Sequence, residues 1–95
     1  MRMKIVNASF TVRPGWQPYY EHFIEEMVER SRQENGNVSY DHYKKMGVSN
    51  EYEVIEHWAD DEALETHKQS ANYKEFWRGI GHYVKTEPTV TVLDH

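Results

Sequence analysis

The chain has no cysteine among its 95 residues. That excludes disulfides, thiol nucleophiles and thiolate metal sites. A basic cluster is missing too, since 11 Lys and Arg stand against 16 Asp and Glu for a net charge of -5. An electrostatic footprint for nucleic acid or an anionic membrane is therefore lacking. No apolar run approaches the roughly 20 residues of a membrane span, and the opening MRMKIVNASF is too short and polar for a secretory signal. Asn7-Ala8-Ser9 and Asn37-Val38-Ser39 match the glycosylation triplet, but no export signal accompanies them. No Gly-rich phosphate loop and no exposed Ser with a partnered base can be read. These absences lead us to expect a soluble, cytoplasmic protein that binds neither nucleic acid nor membrane.

What is present is aromatic. Phe, Trp and Tyr make up 14% of the chain, with 3 Trp and 7 Tyr. Large amphipathic rings suit a core, the wall of a cavity or an interface. The length fits one small domain spanning residues 1–95, with no linker, repeat or low-complexity segment. A domain of this size buries only part of its surface and gains stability by pairing with a second copy.

Residues 3–12 alternate as a strand, with Val6, Ala8, Phe10 and Val12 on one face and Ile5, Asn7 and Ser9 on the other. Pro14 and Gly15 end it. From Trp16 to Gln33 the stripe Tyr20, Phe23, Ile24, Met27, Val28 predicts an amphipathic helix, closed by Asn35-Gly36. A second strand, Val38 to Met46, turns at Gly47 and Asn50 into a third. There Tyr52, Val54, Glu56 and Trp58 share one side, opposite Glu53, Ile55 and His57. Asp60 or Asp61 caps the helix that follows, which carries Ala63, Leu64 and His67 at helical spacing. Ser70 caps another, with Tyr73, Phe76, Trp77 and Ile80 as its stripe, and a last strand is predicted over Lys85–Leu93 with Pro88 at an edge or bulge.

That order is the α+β, ferredoxin-like split β-α-β pattern: a four-stranded antiparallel sheet with helices on one face. The bare face carries apolar or aromatic residues on several strands. Covering it with the same face of a second copy is the two-fold solution, so a homodimer is expected.

Two residues stand out chemically. His67 is a lone imidazole on an apolar helical stripe, where the plain reading is a packed core residue and the sharper one a proton acceptor. Asn7 is an amide inside an apolar strand, which is costly unless paired. It is either an edge or side-chain-bonded residue, or a donor to a substrate oxygen that becomes negative. His57 and Glu53 share a strand face, a weak metal signal without a third ligand.

Three short runs carry a family resemblance: Glu34, Gly36, Asn37 and Tyr40; Glu56 and Trp58; Ala63, Leu64 and His67. In this order and spacing they resemble the antibiotic biosynthesis monooxygenase family of dimeric α+β barrels, over nearly the whole chain. The resemblance implies a pocket between sheet and helices in each subunit. It also implies, for the members that are monooxygenases, a phenol or quinol that reacts with O2 without metal, flavin or haem. The family includes an isomerase of phosphorylated signalling sugars, so an isomerase or a non-catalytic binding or stress protein are the alternatives. A haem-degrading branch would place its residues at Asn7, His67 and Trp77. The position of its iron ligand holds Trp77 here, which disfavours haem. We therefore expect no cofactor and no metal, a small aromatic substrate with O2, catalytic roles for Asn7 and His67, and pocket walls from Trp58, Tyr73, Trp77, Tyr83 and Phe23.

Overall fold

A computed structural model describes residues 2–95. Strand β1 (Lys4–Thr11) is followed by helix α1 (Gln17–Arg32), then β2 (Asn37–Lys44) and β3 (Glu51–Trp58). Two short helices, α2 (Asp61–Gln69) and α3 (Ala71–Gly79), lead through a 3-10 turn at Ile80–His82 into β4 (Thr89–Asp94). The four strands form one antiparallel sheet in the order β2-β3-β1-β4.

Alternation decides which side of the sheet is covered. On β3, Tyr52, Val54, Glu56 and Trp58 are buried, while their neighbours between are half-buried. Val6, Ala8 and Phe10 of β1 lie on the same face, by register with Glu56, Val54 and Tyr52. Tyr20, Ile24, Met27 and Val28 of α1 join them in one core, with Leu64 of α2 and Phe76 of α3. Burying each of these side chains contributes about 1.5–3 kcal/mol relative to exposure. The opposite face carries no helix. Rows such as Asp41-Ile55-Asn7-Thr91 cross it, so the face is mixed polar and apolar rather than strongly hydrophobic.

Two predicted boundaries move. Val38 opens the predicted second strand, yet a bulge between Asn37 and Ser39 turns its side chain to solvent. The last strand begins at Thr89 rather than Lys85. Tyr83–Lys85 pair only with the end of β1 and the residues just after it: Arg13 N–H donates to the Tyr83 carbonyl at 2.9 Å and Lys85 N–H to that of Thr11 at 2.7 Å. Pro88, lacking an N–H, falls in the gap before the ladder resumes.

The turn between α1 and β2 sets the depth of the site. Gly36 adopts φ +84°, and its carbonyl accepts the Ala59 N–H at 2.8 Å. This bond ties the turn to the junction of β3 and α2. Asp60 then starts α2 by accepting the Ala63 N–H at 2.8 Å. Ser70 ends α2 and begins α3: its hydroxyl donates to the His67 carbonyl at 2.7 Å and accepts the Tyr73 N–H at 3.1 Å. Among the described residues no helix is long and apolar enough to cross a membrane.

Candidate active site

Between the inner face of the sheet and the three helices lies a cavity of about 290 Å³. Its floor is Val6, Ala8 and Phe10 with Val54 and Glu56 of β3; Leu64, His67 and Lys68 of α2 and Tyr73, Phe76 and Trp77 of α3 form its roof. Val90 and Val92 of the edge strand β4 make one wall, and both are nearly half exposed at 48% and 44%. The lining is overwhelmingly apolar, which suits an aromatic occupant held by a few polar groups.

Those polar groups gather at one end. The His67 side chain is almost fully buried and sits in a box of rings: Trp58 stacks on it at 4.5 Å between centroids, with Tyr73 edge-on at 5.2 Å and Tyr40 at 5.9 Å. Its Nδ1 is 3.0 Å from Glu34 Oε1. An ionised carboxyl only accepts, so Nδ1 carries the hydrogen and Nε2 keeps its lone pair. Burial pushes the His67 pKa below its ordinary value, against the opposing pull of Glu34. The imidazole is therefore neutral near pH 7, and its contact with Glu34 is a hydrogen bond rather than an ion pair.

Nε2 points toward a second buried acid. Glu56 Oε1 is 3.8 Å away and also accepts the Trp58 indole N–H at 2.9 Å. Burial raises the Glu56 pKa to about 7, and the bond donated by Trp58 only partly offsets this. Tyr40 Oη donates to Met27 Sδ at 3.0 Å, and burial holds its pKa far above the ordinary phenol value. Glu34 has a side chain 21% exposed. The line Glu34, His67, Glu56 thus runs from near the surface into the cavity.

The sequence-predicted residues divide. His67, Tyr73 and Trp77 line the cavity. Trp58 stands behind His67, fully buried, where it orients both His67 and Glu56. Phe23 and Tyr83 do not reach it. They stack on each other at 4.7 Å, Phe23 stacks on the far side of Phe76 at 5.5 Å, and both line a separate surface hollow beside Tyr19 and His22. Asn7 is not brought to His67 either. It pairs with Ile55 and Thr91 in the odd rows of β1, so its side chain leaves the sheet on the uncovered face. There Asn7 Oδ1 is buried without a hydrogen-bond partner, the one such side-chain atom among the described residues. Strand alternation alone separates it from the cavity.

Glu34 and Glu56 stand in the signature runs, Glu34 reading as a helix end and turn, and neither is assigned a catalytic role by the sequence. Glu56 was detectable, as a carboxyl on the same strand face as Tyr52, Val54 and Trp58. Glu34 was not, because its partner lies 33 residues away. Lys68 likewise turns to the cavity. Among the described residues no three His, Asp or Glu side chains gather as a metal-binding group.

Comparison with known proteins agrees with this fold. The antibiotic biosynthesis monooxygenase family profile matches residues 3–79. A Bacillus subtilis (strain 168) protein named "Putative monooxygenase YcnE" is 30% identical over 74 residues, 78% of each chain. Rv0793 from Mycobacterium tuberculosis superposes with a TM-score of 0.89 at 27% identity, over 96% of this chain and 92% of that one. PA3566 from Pseudomonas aeruginosa gives 0.89 at 27% identity, over 100% and 95%. With a profile match spanning most of its length and the same α+β fold in its relatives, this chain belongs to the antibiotic biosynthesis monooxygenase family.

Proposed function

We propose that the protein is a cofactor-independent monooxygenase that oxidises a small phenolic or quinol-type ring with O2. The observation that carries this is the His67 imidazole at the cavity wall, its Nδ1 tied to Glu34 and its Nε2 free. A base so held takes the hydroxyl proton of a bound phenol, and the resulting electron-rich phenolate is the species that reacts with O2 at carbon. The imidazolium then stays beside the oxygen it deprotonated, and Lys68 adds a cation at the same wall. A volume of about 290 Å³ is at the low end of small-molecule sites, so a ring system of one or two fused rings fits best.

Oxygen consumption with a panel of naphthols and hydroquinones, in chelator-treated buffer, tests this reading. The wild type should consume O2 with at least one member, and His67→Ala should lose about 100-fold or more of that rate. No uptake above background across the panel would remove the proposal. Lys68 supports a second reading, isomerisation of a small anionic oxygenated metabolite with His67 moving the proton. Product formed under nitrogen would favour it. A homodimer in which the uncovered sheet face meets its copy completes the picture, supported by the half-buried Ile5 and Ile55 and the exposed Leu93 and Tyr43 on that face. A monomer mass in sedimentation equilibrium at micromolar concentration would rule that assembly out.

A further inference from the structure

We propose that Glu56 is a second proton-handling catalytic residue, acting with His67 on the oxygenated intermediate. This inference rests on the monooxygenase reading and names a step that His67 leaves open. A phenol becomes a quinone by taking one oxygen atom from O2 at a ring carbon and releasing the other as water. The hydroxyl proton goes first to His67 Nε2. The ring carbon then forms a C–O bond to O2, and the peroxide oxygen takes the proton back from His67. One hydrogen still sits on the carbon that bears the hydroperoxide. Removing it breaks the C–H bond, its electron pair becomes the new C=O bond, and hydroxide leaves with the electrons of the O–O bond. Glu56 accepts that proton and returns it to the hydroxide as water. One hydroxyl hydrogen, one ring hydrogen and one O2 thus yield one carbonyl oxygen and one water, and both side chains end as they began.

The geometry fits this division. Glu56 lines the cavity floor while His67 lines its roof, and their facing atoms are 3.8 Å apart. Glu56 occupies the centre of the sheet's inner face, between Tyr40 of β2 and Val6 of β1. Among the described residues its one neighbour at ion-pair distance is His67, which is neutral near pH 7. A buried carboxyl without a cationic partner is costly to ionise, and burial raises its pKa to about 7. That places its proton exchange at the working pH, as a base for a carbon acid requires. The groups that face it are Tyr40 from β2, Glu34 before β2, His67 and Lys68 from α2, and Tyr73 from α3. Because His67 and Glu56 are in contact, the observed ionisation belongs to the pair.

Steady-state oxygen uptake with 1-naphthol, from pH 5 to 9, tests the assignment on wild type, Glu56→Gln and Glu56→Asp. Glutamine retains an oxygen for the Trp58 N–H, so a purely structural Glu56 would leave kcat and its pH profile unchanged. We expect kcat to fall by about 100-fold in Glu56→Gln with KM within about twofold. The acidic limb of the wild-type profile, with its midpoint near 7, should shift to lower pH in the residual activity, where His67 alone limits it, and Glu56→Asp should keep a limb near neutrality at intermediate kcat. An unchanged kcat, or a limb whose midpoint stays near 7 in Glu56→Gln, overturns the proposal while leaving an active wild type as an oxygenase. Should both variants fail to fold, a wild-type profile with no acidic limb near neutrality overturns it equally. A wild type that is inert with 1-naphthol and with the whole panel instead sinks the oxygenase reading beneath it.

Discussion

Replacing Gly36 by Ala tests how the site is held together. Gly36 has φ +84°, a conformation that costs an L-residue about 1–2 kcal/mol. An added Cβ would also overlap the Ala63 Cβ, deep inside van der Waals contact, with Ala63 Cα at 3.6 Å behind it. Relief requires the first turn of α2 to move, and overpacking of this kind costs about 1–3 kcal/mol. The sum is about 2–5 kcal/mol, against a total stability of about 5–14 kcal/mol for a chain this size. Gly47→Ala is the matched control, with φ +80° and nothing within 4 Å of its added Cβ. It carries the conformational cost alone. Urea unfolding followed by tryptophan fluorescence should place Gly36→Ala at least about 1 kcal/mol below Gly47→Ala. Adding Ala63→Gly removes the overlapping methyl and should recover about 1 kcal/mol or more beyond additivity, even after its own helix penalty. Because α2 carries His67 and Glu34 lies two residues before Gly36, the single variant should also lose, in proportion, the oxygen uptake proposed for the wild type. Equal destabilisation of the two glycine variants, or no recovery on Ala63→Gly, would refute the steric reasoning.

Two further expectations follow from the buried rings. Trp58→Phe keeps a ring over His67 but removes the N–H donated to Glu56; it should cost about 1–3 kcal/mol in urea unfolding at pH 8 and less at pH 6, where Glu56 is mostly protonated. A cost that does not depend on pH would show that the indole bond is not what holds the Glu56 carboxylate. Tyr20 and Tyr40 have pKa values raised by burial well above the ordinary phenol value, so the folded chain keeps protons that the unfolded chain loses above pH 10. Stability is then full below pH 10 and should fall by about 1.4 kcal/mol per pH unit for each tyrosine as pH rises further. Far-ultraviolet circular dichroism showing no such loss up to pH 12 would contradict their burial.

Local pattern carried much of this protein. The β1 and β3 alternations group together the residues that end in the core, because a pleated strand offers only two faces. The α1 stripe and the Asp60 and Ser70 caps are local hydrogen-bonding and spacing chemistry, and they stand where the sequence places them. Pro88 marks a real interruption, but not that Tyr83–Lys85 would first pair with the end of β1. Pairing across more than 70 residues has no local signature.

The site itself was decided by tertiary structure. Periodicity puts Asn7 opposite Val6 and sets His67 on an apolar stripe, yet it does not say which sheet face receives that stripe. Packing α2 on the Val6 face sends Asn7 to the other side, and no local feature of either segment encodes that choice. Likewise Glu34 ends a helix in the sequence, and only the turn at Gly36 folds it back onto His67. The sequence by itself determined the strands, the helices, the family and the presence of one unusual imidazole. Only the fold set that imidazole between two carboxyls, because contacts between distant segments depend on how whole elements pack and not on the residues beside them.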